Sequence, residues 1–75
     1  MQLSYKLLLH KEDDGRYTVN VPALPGCVTY GDNIEEAISM AKEAIELYID
    51  ELHARNEIVP DDSDTIEYSI NIATA

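Results

Sequence analysis

One long amphipathic segment restricts the fold of this chain more than any other feature of its sequence. Between Ile34 and Leu52, apolar residues recur at steps of four and three, which places them on one side of an α-helix. Asn33 and Glu36 have the spacing of a capping box and predict that the helix begins at Ile34. A helix with one apolar face needs a second layer to cover that face. The predicted core-facing positions are Ile34, Ile38, Ala41, Ile45, Tyr48 and Leu52, with Ala37, Ala44 and Ile49 beside them.

The residues before the helix predict the second layer, because they alternate as strands do. Leu3–His10 ("LSYKLLLH") and Arg16–Val21 ("RYTVNV") each place apolar residues at every second position. Between them, Asp14 and Gly15 supply the left-handed positions that a tight hairpin requires. We therefore expect an antiparallel hairpin at the start of a sheet.

The stretch "PALPG", Pro22–Gly26, raises the question whether it binds phosphate or only turns the chain. Prolines lack a backbone N–H and interrupt a strand, whereas glycine adopts conformations closed to other residues. The turn before the helix carries Asp32 and two glutamates, whose charge would repel a phosphate. We therefore interpret the stretch as a structural corner that leads into a short third strand, Cys27–Tyr30.

The residues after the helix predict a connection and a last strand. Asn56–Asp64 contains Pro60, which prevents the helix from continuing, and Thr65–Ala73 then alternates again. The apolar face of this strand consists of Ile66, Tyr68, Ile70 and Ile72. The predicted order is β-β-β-α-β, an α+β fold with one helix packed on a mixed four-stranded sheet whose last strand runs parallel to the first.

The charge of the chain favours some partners over others. Fifteen acidic residues oppose five basic ones, for a formal net charge of -10. Binding to DNA or RNA draws on basic groups, so this chain alone is a poor candidate for it. A basic protein would be a complementary partner, although acidity also serves to keep a small protein soluble, and both interpretations stay open. The acidic side of the helix consists of Glu35, Glu36, Glu43, Glu46 and Asp50.

The sequence also predicts a cellular location. No apolar run approaches the roughly 20 residues that span a bilayer, and the first residues lack the apolar core of a signal peptide. Cys27 is the only cysteine and cannot form an internal disulfide, which agrees with a reducing compartment. We expect a cytoplasmic protein.

The residue types of catalytic sites are present but are not arranged in a catalytic pattern. Nothing in the sequence links the Cys27 thiol to His10 or His53, and the two histidines lack the ligand spacing of a metal site. The carboxylates fall in turns and on the helix rather than in the predicted central strands, where a two-metal nuclease would need them. We predict no enzyme, no metal and no cofactor, and a test for metal-dependent cleavage would expose any residual nuclease activity.

The region Asp14–Ile49 combines four short motifs: an aspartate-glycine hairpin, the "PALPGC" corner, the "GD" before the capping residue and the "EEA" that opens the helix. In this combination the region resembles the HicB-like antitoxin superfamily. It implies a partial ribonuclease-H-like fold without catalytic carboxylates, and a partner, a small HicA-type toxin that cleaves mRNA and whose active site the antitoxin covers. Many members carry a second, DNA-binding domain. Because this sequence stops directly after the last predicted strand, we expect residues 1–75 to be a single HicB-like domain without one.

Two surfaces are candidates for contact with such a toxin, because an acidic protein can occupy a basic RNA-binding surface as a mimic of phosphate. The first consists of Glu43, Glu46 and Asp50 on the helix. The second is a rim formed by Leu24, Pro25 and Tyr30. The alternative function is a stand-alone oligomeric binding module that has no toxin partner.

The predicted sheet has exposed edges, and these favour self-association. An edge strand presents unpaired backbone groups, and pairing it across a two-fold axis would satisfy them and enlarge a small core. The two candidate edges are Ile66–Ile72 and Cys27–Tyr30. We expect a homodimer.

Overall fold

One helix lies across one face of a three-stranded antiparallel sheet in the computed structural model, which describes residues 2–75. The strands are β1 (Leu8–Lys11), β2 (Tyr17–Asn20) and β3 (Val28–Gly31), and they lie side by side in chain order. The helix α1 spans Ile34–Ala54 and packs mainly over β3 and β2. The α+β class and the first four elements of the predicted order are confirmed.

The register of the sheet decides which side chains face the helix. Val19 in the central strand is fully buried and packs against Ala37 and Ala41 of α1. Thr18 and Tyr30 are paired one position away, so their side chains point to the opposite side. That opposite side is covered by no element within residues 2–75, and we call it the open face of the sheet.

The hairpin between β1 and β2 contains one left-handed residue, where the sequence predicted two. Gly15 has φ 88°, and its N–H donates to the Glu12 carbonyl at 2.9 Å. The Glu12 N–H donates to the Arg16 carbonyl at 2.8 Å. Asp14 does not have a positive φ, and its carboxylate pairs with the Arg16 guanidinium at 2.7 Å. The hairpin therefore closes with a glycine bulge, in which only Gly15 needs positive φ.

The corner after β2 is built from two consecutive turns, as its prolines and glycine predict. The Leu24 N–H donates to the Val21 carbonyl at 3.1 Å, and the Cys27 N–H donates to the Leu24 carbonyl at 2.9 Å. Gly26 has φ 79°, which a residue with a side chain rarely adopts. The side chains of Val21, Leu24 and Cys27 fold inward and form a buried cluster beneath the second half of α1.

The start of the helix is fixed by a cap and by a close contact with β3. The Asn33 side chain accepts from the Glu36 N–H at 2.8 Å, as predicted, while the Glu36 carboxylate accepts from the N–H of Asp32 at 2.9 Å. Gly31 lies so close to the helix that a Cβ at this position would be 2.3 Å from the Ala37 backbone nitrogen. A glycine at the end of β3 thus lets the first turn of α1 pack onto the sheet.

The end of the helix is fixed by a left-handed asparagine. Asn56 has φ 57°, its N–H donates to the His53 carbonyl at 3.1 Å, and the Glu57 N–H donates to the Leu52 carbonyl at 2.9 Å. These two bonds make a Schellman motif, in which asparagine takes the position usually held by glycine. The helix therefore ends before Pro60, which the sequence suggested as its terminator.

Two aspartates attach the returning chain to the residues before β1. The Asp61 carboxylate accepts from the Ser4 N–H at 3.0 Å, and the Asp62 carboxylate accepts from the Lys6 N–H at 2.8 Å. The Asp62 N–H donates to the Ser4 carbonyl at 2.7 Å. We call this set of bonds the carboxylate tie. Because it uses the backbone groups of Ser4 and Lys6, β1 begins at Leu8 and not at Leu3 as predicted.

The predicted fourth strand lies outside the sheet. Residues 65–75, which we call the arm, form no helix, strand or turn, and all of their side chains are exposed. The Thr65 N–H donates to the Asp62 carbonyl at 2.9 Å and closes a turn after which the chain leaves the sheet. The mixed four-stranded sheet is therefore not formed within this chain. The alternating pattern of Thr65–Ala73 predicts an extended conformation but does not specify the strand with which the segment pairs.

Candidate partner-binding surfaces

The outer side of α1 carries an acidic patch, which we define as Glu43, Glu46 and Asp50. All three side chains are exposed, on the side of the helix that faces away from the sheet. Leu47 lies next to Glu43 and Asp50 at helical spacing and is 70% exposed. Glu43, Glu46 and Leu47 line a shallow groove. The patch therefore combines negative charge with one exposed apolar side chain.

Within residues 2–75, no side chain of the acidic patch forms an ion pair within 4 Å. Among residues 2–75, the contacts between opposite charges are Arg16 with Asp14, Arg55 with Glu51, and His10 with Glu12. None of these includes a residue of the patch. Neighbouring carboxylates without a cation create a negative potential at the surface, which attracts a basic partner.

The rim predicted from Leu24, Pro25 and Tyr30 is not a continuous surface in the structure. Leu24 is fully buried in the cluster beneath the corner, so its side chain supports the corner and presents no contact surface. Pro25 is exposed, and its carbonyl accepts from the Tyr48 hydroxyl at 2.8 Å. Tyr30 is exposed on the open face of the sheet. Tyr30 and the acidic patch thus lie on opposite sides of the molecule.

The open face of the sheet is a second exposed surface with apolar content. Leu8 and Val28, each about half exposed, flank Asn20 in one row across the sheet, and Tyr30 stands in the next row beside Thr18. Of the residues on this face, only Tyr30 was predicted as a contact residue. The alternation of side chains along each strand indicated that such a face exists, since every second residue of a strand must face away from the helix.

A groove at the hairpin end of the open face contains both signs of charge. It is lined by Tyr30, Thr18 and Arg16, and by the carboxylates of Asp14 and Asp32. The hydrogen bond and charge of Arg16 lower the pKa of Asp14 below its ordinary value. The start of α1 beside this groove is occupied by the protein's own acceptors, since Asn33 accepts from the Glu36 N–H and the Glu36 carboxylate accepts from the Asp32 N–H.

The residues considered for catalysis are not brought together. Cys27 is buried in the corner cluster, and this burial raises the pKa of its thiol, which disfavours the nucleophilic thiolate. His10 is exposed on β1 and contacts Glu12 at 3.4 Å. Within residues 2–75 no three side chains of His, Cys, Asp or Glu are placed to hold a metal ion. No helix in the same residues is long and apolar enough to cross a membrane.

Comparison with known proteins gives relatives of the chain in sequence and in structure. A UPF0150 protein of Thermoplasma acidophilum is 48% identical over 61 residues, which cover 81% of this chain and 88% of the relative. A UPF0150 protein of Synechocystis is 51% identical over 57 residues, 76% of this chain and 72% of the relative. The crystal structure of the N-terminal domain of the Burkholderia pseudomallei antitoxin HicB matches with a TM-score of 0.67 at 28% identity, covering 91% of this chain and 72% of that one.

The fold and the exposed surfaces define a small α+β domain whose accessible groups suit contact with another protein. Over residues 5–73 the sequence matches the family described as the HicB-like antitoxin of bacterial toxin–antitoxin systems. The chain belongs to the HicB-like antitoxin family. This membership supports an antitoxin role and argues against an enzymatic one.

Proposed function

We propose that this protein neutralises a small basic HicA-type toxin, an mRNA-cleaving enzyme, by covering the surface with which the toxin binds RNA. Membership of the antitoxin family supports the general role. The observation that carries the specific proposal is the acidic patch on α1, whose three carboxylates have no cationic partner in the described chain and surround the exposed Leu47.

The physical basis of the proposal is competition for the same basic surface. An enzyme that binds RNA needs cationic groups for the phosphates, and the three carboxylates of the acidic patch offer those groups an alternative. Opposite charges steer the encounter and raise its rate, whereas the strength of a complex depends on a buried apolar anchor. Leu47 is placed to be that anchor.

The open face provides the second version of the contact surface. Tyr30 is the exposed aromatic residue of that face, and aromatic residues are enriched where proteins bind each other. In this version Tyr30 makes the contact, and the buried Leu24 only supports the corner. The two versions exclude each other for a single small toxin, because the surfaces lie on opposite sides of the molecule.

Self-association belongs to the same proposal. The arm exposes four large apolar side chains that no part of residues 2–75 covers, and we propose a homodimer in the cytoplasm that does not contact nucleic acid directly. The exposed arm also favours the alternative function, a stand-alone oligomeric binding module without a toxin. The two functions differ in whether a basic protein accompanies the purified chain.

The first test is recovery and inhibition of the toxin. The tagged chain is used to capture partners from its own source, and the captured protein must be small, basic and able to cleave mRNA. Adding the chain should suppress that cleavage at a stoichiometric ratio. Capture of the chain alone, or of a protein whose activity the chain leaves unchanged, would favour the oligomeric module.

The second test locates the surface. Reversal of charge at Glu43, Glu46 and Asp50 to lysine should slow association with the toxin at least about 10-fold, because steering is lost. The matched control reverses three exposed acids elsewhere, Asp13, Glu57 and Asp64, and should slow it much less. Equal effects of the two triple variants would assign steering to overall charge, and a large loss in Tyr30→Ala would move the interface to the open face.

A further inference from the structure

We propose that the arm of one copy completes the sheet of a second copy, with residues 65–73 paired as a fourth strand beside β1 of the neighbour, and that the exchange is reciprocal. This inference rests on the self-association proposed above and specifies its contact. One chain contains both a strand-like segment that pairs with no strand and a sheet edge that has no strand beside it.

The arm has the chemistry of a strand that lacks its sheet. Four apolar side chains at every second position, Ile66, Tyr68, Ile70 and Ile72, are between 71% and 90% exposed. Soluble proteins rarely leave so large an apolar row in water without a partner. The arm also makes the molecule long: its largest dimension is 50 Å and its radius of gyration 14.5 Å, against about 11 Å for a compact chain of this length.

The free edge of β1 offers backbone donors and acceptors with which a further strand can pair. β1 is an outer strand, paired with β2 on one side only. The Glu12 N–H and carbonyl both bond across the hairpin. Because backbone groups alternate in direction along a strand, the N–H and carbonyl of Leu9 and Lys11 point away from β2. They are the donors and acceptors of an unpaired edge.

The place beside β1 also has an apolar floor. Leu7 and Leu9 face the helix side of the sheet but are only partly buried, since α1 lies over β3 and β2. Ile34 and Ile38 were predicted to face the core, yet both remain about half exposed. Ile34 lines a groove together with Lys11 of β1, which places this flank of the helix on the β1 side. A strand added here would bury its apolar face against these side chains.

Length and charge fit the same arrangement. As a strand, residues 65–73 span roughly 30 Å, which is long enough to cover the four residues of β1. Lys11 ends β1 and Lys6 precedes it; neither pairs with a carboxylate among residues 2–75, and the arm carries Glu67. A second copy is the occupant that these observations support, because it brings the matching arm and receives one in return.

The experiment uses one variant on each side of the contact. Ile70→Asp changes the arm, Ile38→Asp changes the floor, and each should raise the Kd of the homodimer at least about 100-fold, since a buried apolar side chain is replaced by a charge in both copies. The matched controls are the neighbouring polar positions, Asn71→Asp and Ser39→Asp, which should leave the dimer nearly intact. Sedimentation gives the Kd, and helical circular dichroism shows that each variant is folded.

Mixing the two variants is the decisive measurement. The intact arm of Ile38→Asp can pair with the intact β1 edge of Ile70→Asp, so the heterodimer keeps one of the two contacts and the mixture should associate more tightly than either variant alone. In wild-type protein with half of the chains isotope-labelled, intermolecular contacts should join the methyl groups of Ile70 and Leu9. No rescue on mixing, together with no such contacts, would overturn the inference.

The outcomes separate this contact from the wider proposal. A wild-type monomer at micromolar concentration would remove self-association altogether. A dimer that Ile70→Asp weakens and Ile38→Asp does not would show two arms pairing with each other, and a dimer insensitive to both would use another surface, such as the free edge of β3. In every case, binding of the toxin by folded Ile70→Asp is measured separately and tests the antitoxin proposal by itself.

Discussion

At the scale of single residues, the most demanding position is the glycine at the end of β3. Gly31 is buried against the first turn of α1, where its missing side chain leaves room for the Ala37 backbone. Gly26 is a glycine for a different reason, because its surroundings are open and only its backbone conformation requires it. The two positions therefore separate the effect of space from the effect of conformation.

Gly31→Ala should lower the free energy of unfolding by roughly 2 to 4 kcal/mol, because the new methyl group would push the helix from the sheet. Gly26→Ala should cost only about 1 kcal/mol, the strain of a left-handed alanine. Urea denaturation followed by circular dichroism measures both. Equal losses would mean that the helix can shift at no cost and that the close approach is not a constraint.

At the scale of elements, local signals were sufficient for the helix and not for the last strand. Asn33 and Glu36 define the helix start through bonds between residues three apart, and Gly15 defines the hairpin in the same local way. The pairing of Thr65–Ala73 depends on a surface distant in sequence, which its alternation cannot specify. Leu24 was predicted as a contact residue but is buried, because the sequence pattern did not show that the corner folds its side chain inward.

The carboxylate tie should respond to acid. Hydrogen bonds from the Ser63 side chain and from the Ser4 and Ser63 N–H groups hold the pKa of Asp61 below its ordinary value of 3.8. A lowered folded-state pKa adds stability that is present above the ordinary value and is lost as the pH falls through the folded-state value. The Asp61 bonds of the tie should therefore weaken only below about pH 4.

The Ser4 amide proton reports this titration directly by NMR, since it donates to the Asp61 carboxylate. Its chemical shift should change with a midpoint below 3.8 in the wild type, and Asp61→Asn should remove the transition. A midpoint at or above the ordinary value would show that the tie does not stabilise the charged carboxylate.

At the scale of the whole molecule, the excess of acidic residues acts in two opposite directions. The acidic side chains that give the chain of 75 residues its net charge of -10 repel one another in the folded state. In the proposed complex, the same charge attracts the basic toxin from a distance. Salt screens both interactions, because the Debye length shrinks to about 10 Å at 0.1 M ionic strength.

Added sodium chloride should therefore raise the melting temperature by a few degrees and slow association with the toxin in the same range of concentration. The variant with lysine at Glu43, Glu46 and Asp50 is less negative and should show a smaller effect on both quantities. Thermal unfolding and association kinetics at two salt concentrations suffice for the comparison. A melting temperature that falls with salt would show that attractive ion pairs affect the stability more than repulsion between like charges does.

Leu7 lies where the two buried clusters of the molecule meet. It packs with Val19 and the first half of the helix on one side, and with Val21 and the corner on the other. Tension applied through the first residues of the chain would consequently load both clusters at once. Under mechanical force the domain should rupture in a single step instead of peeling strand by strand from one end.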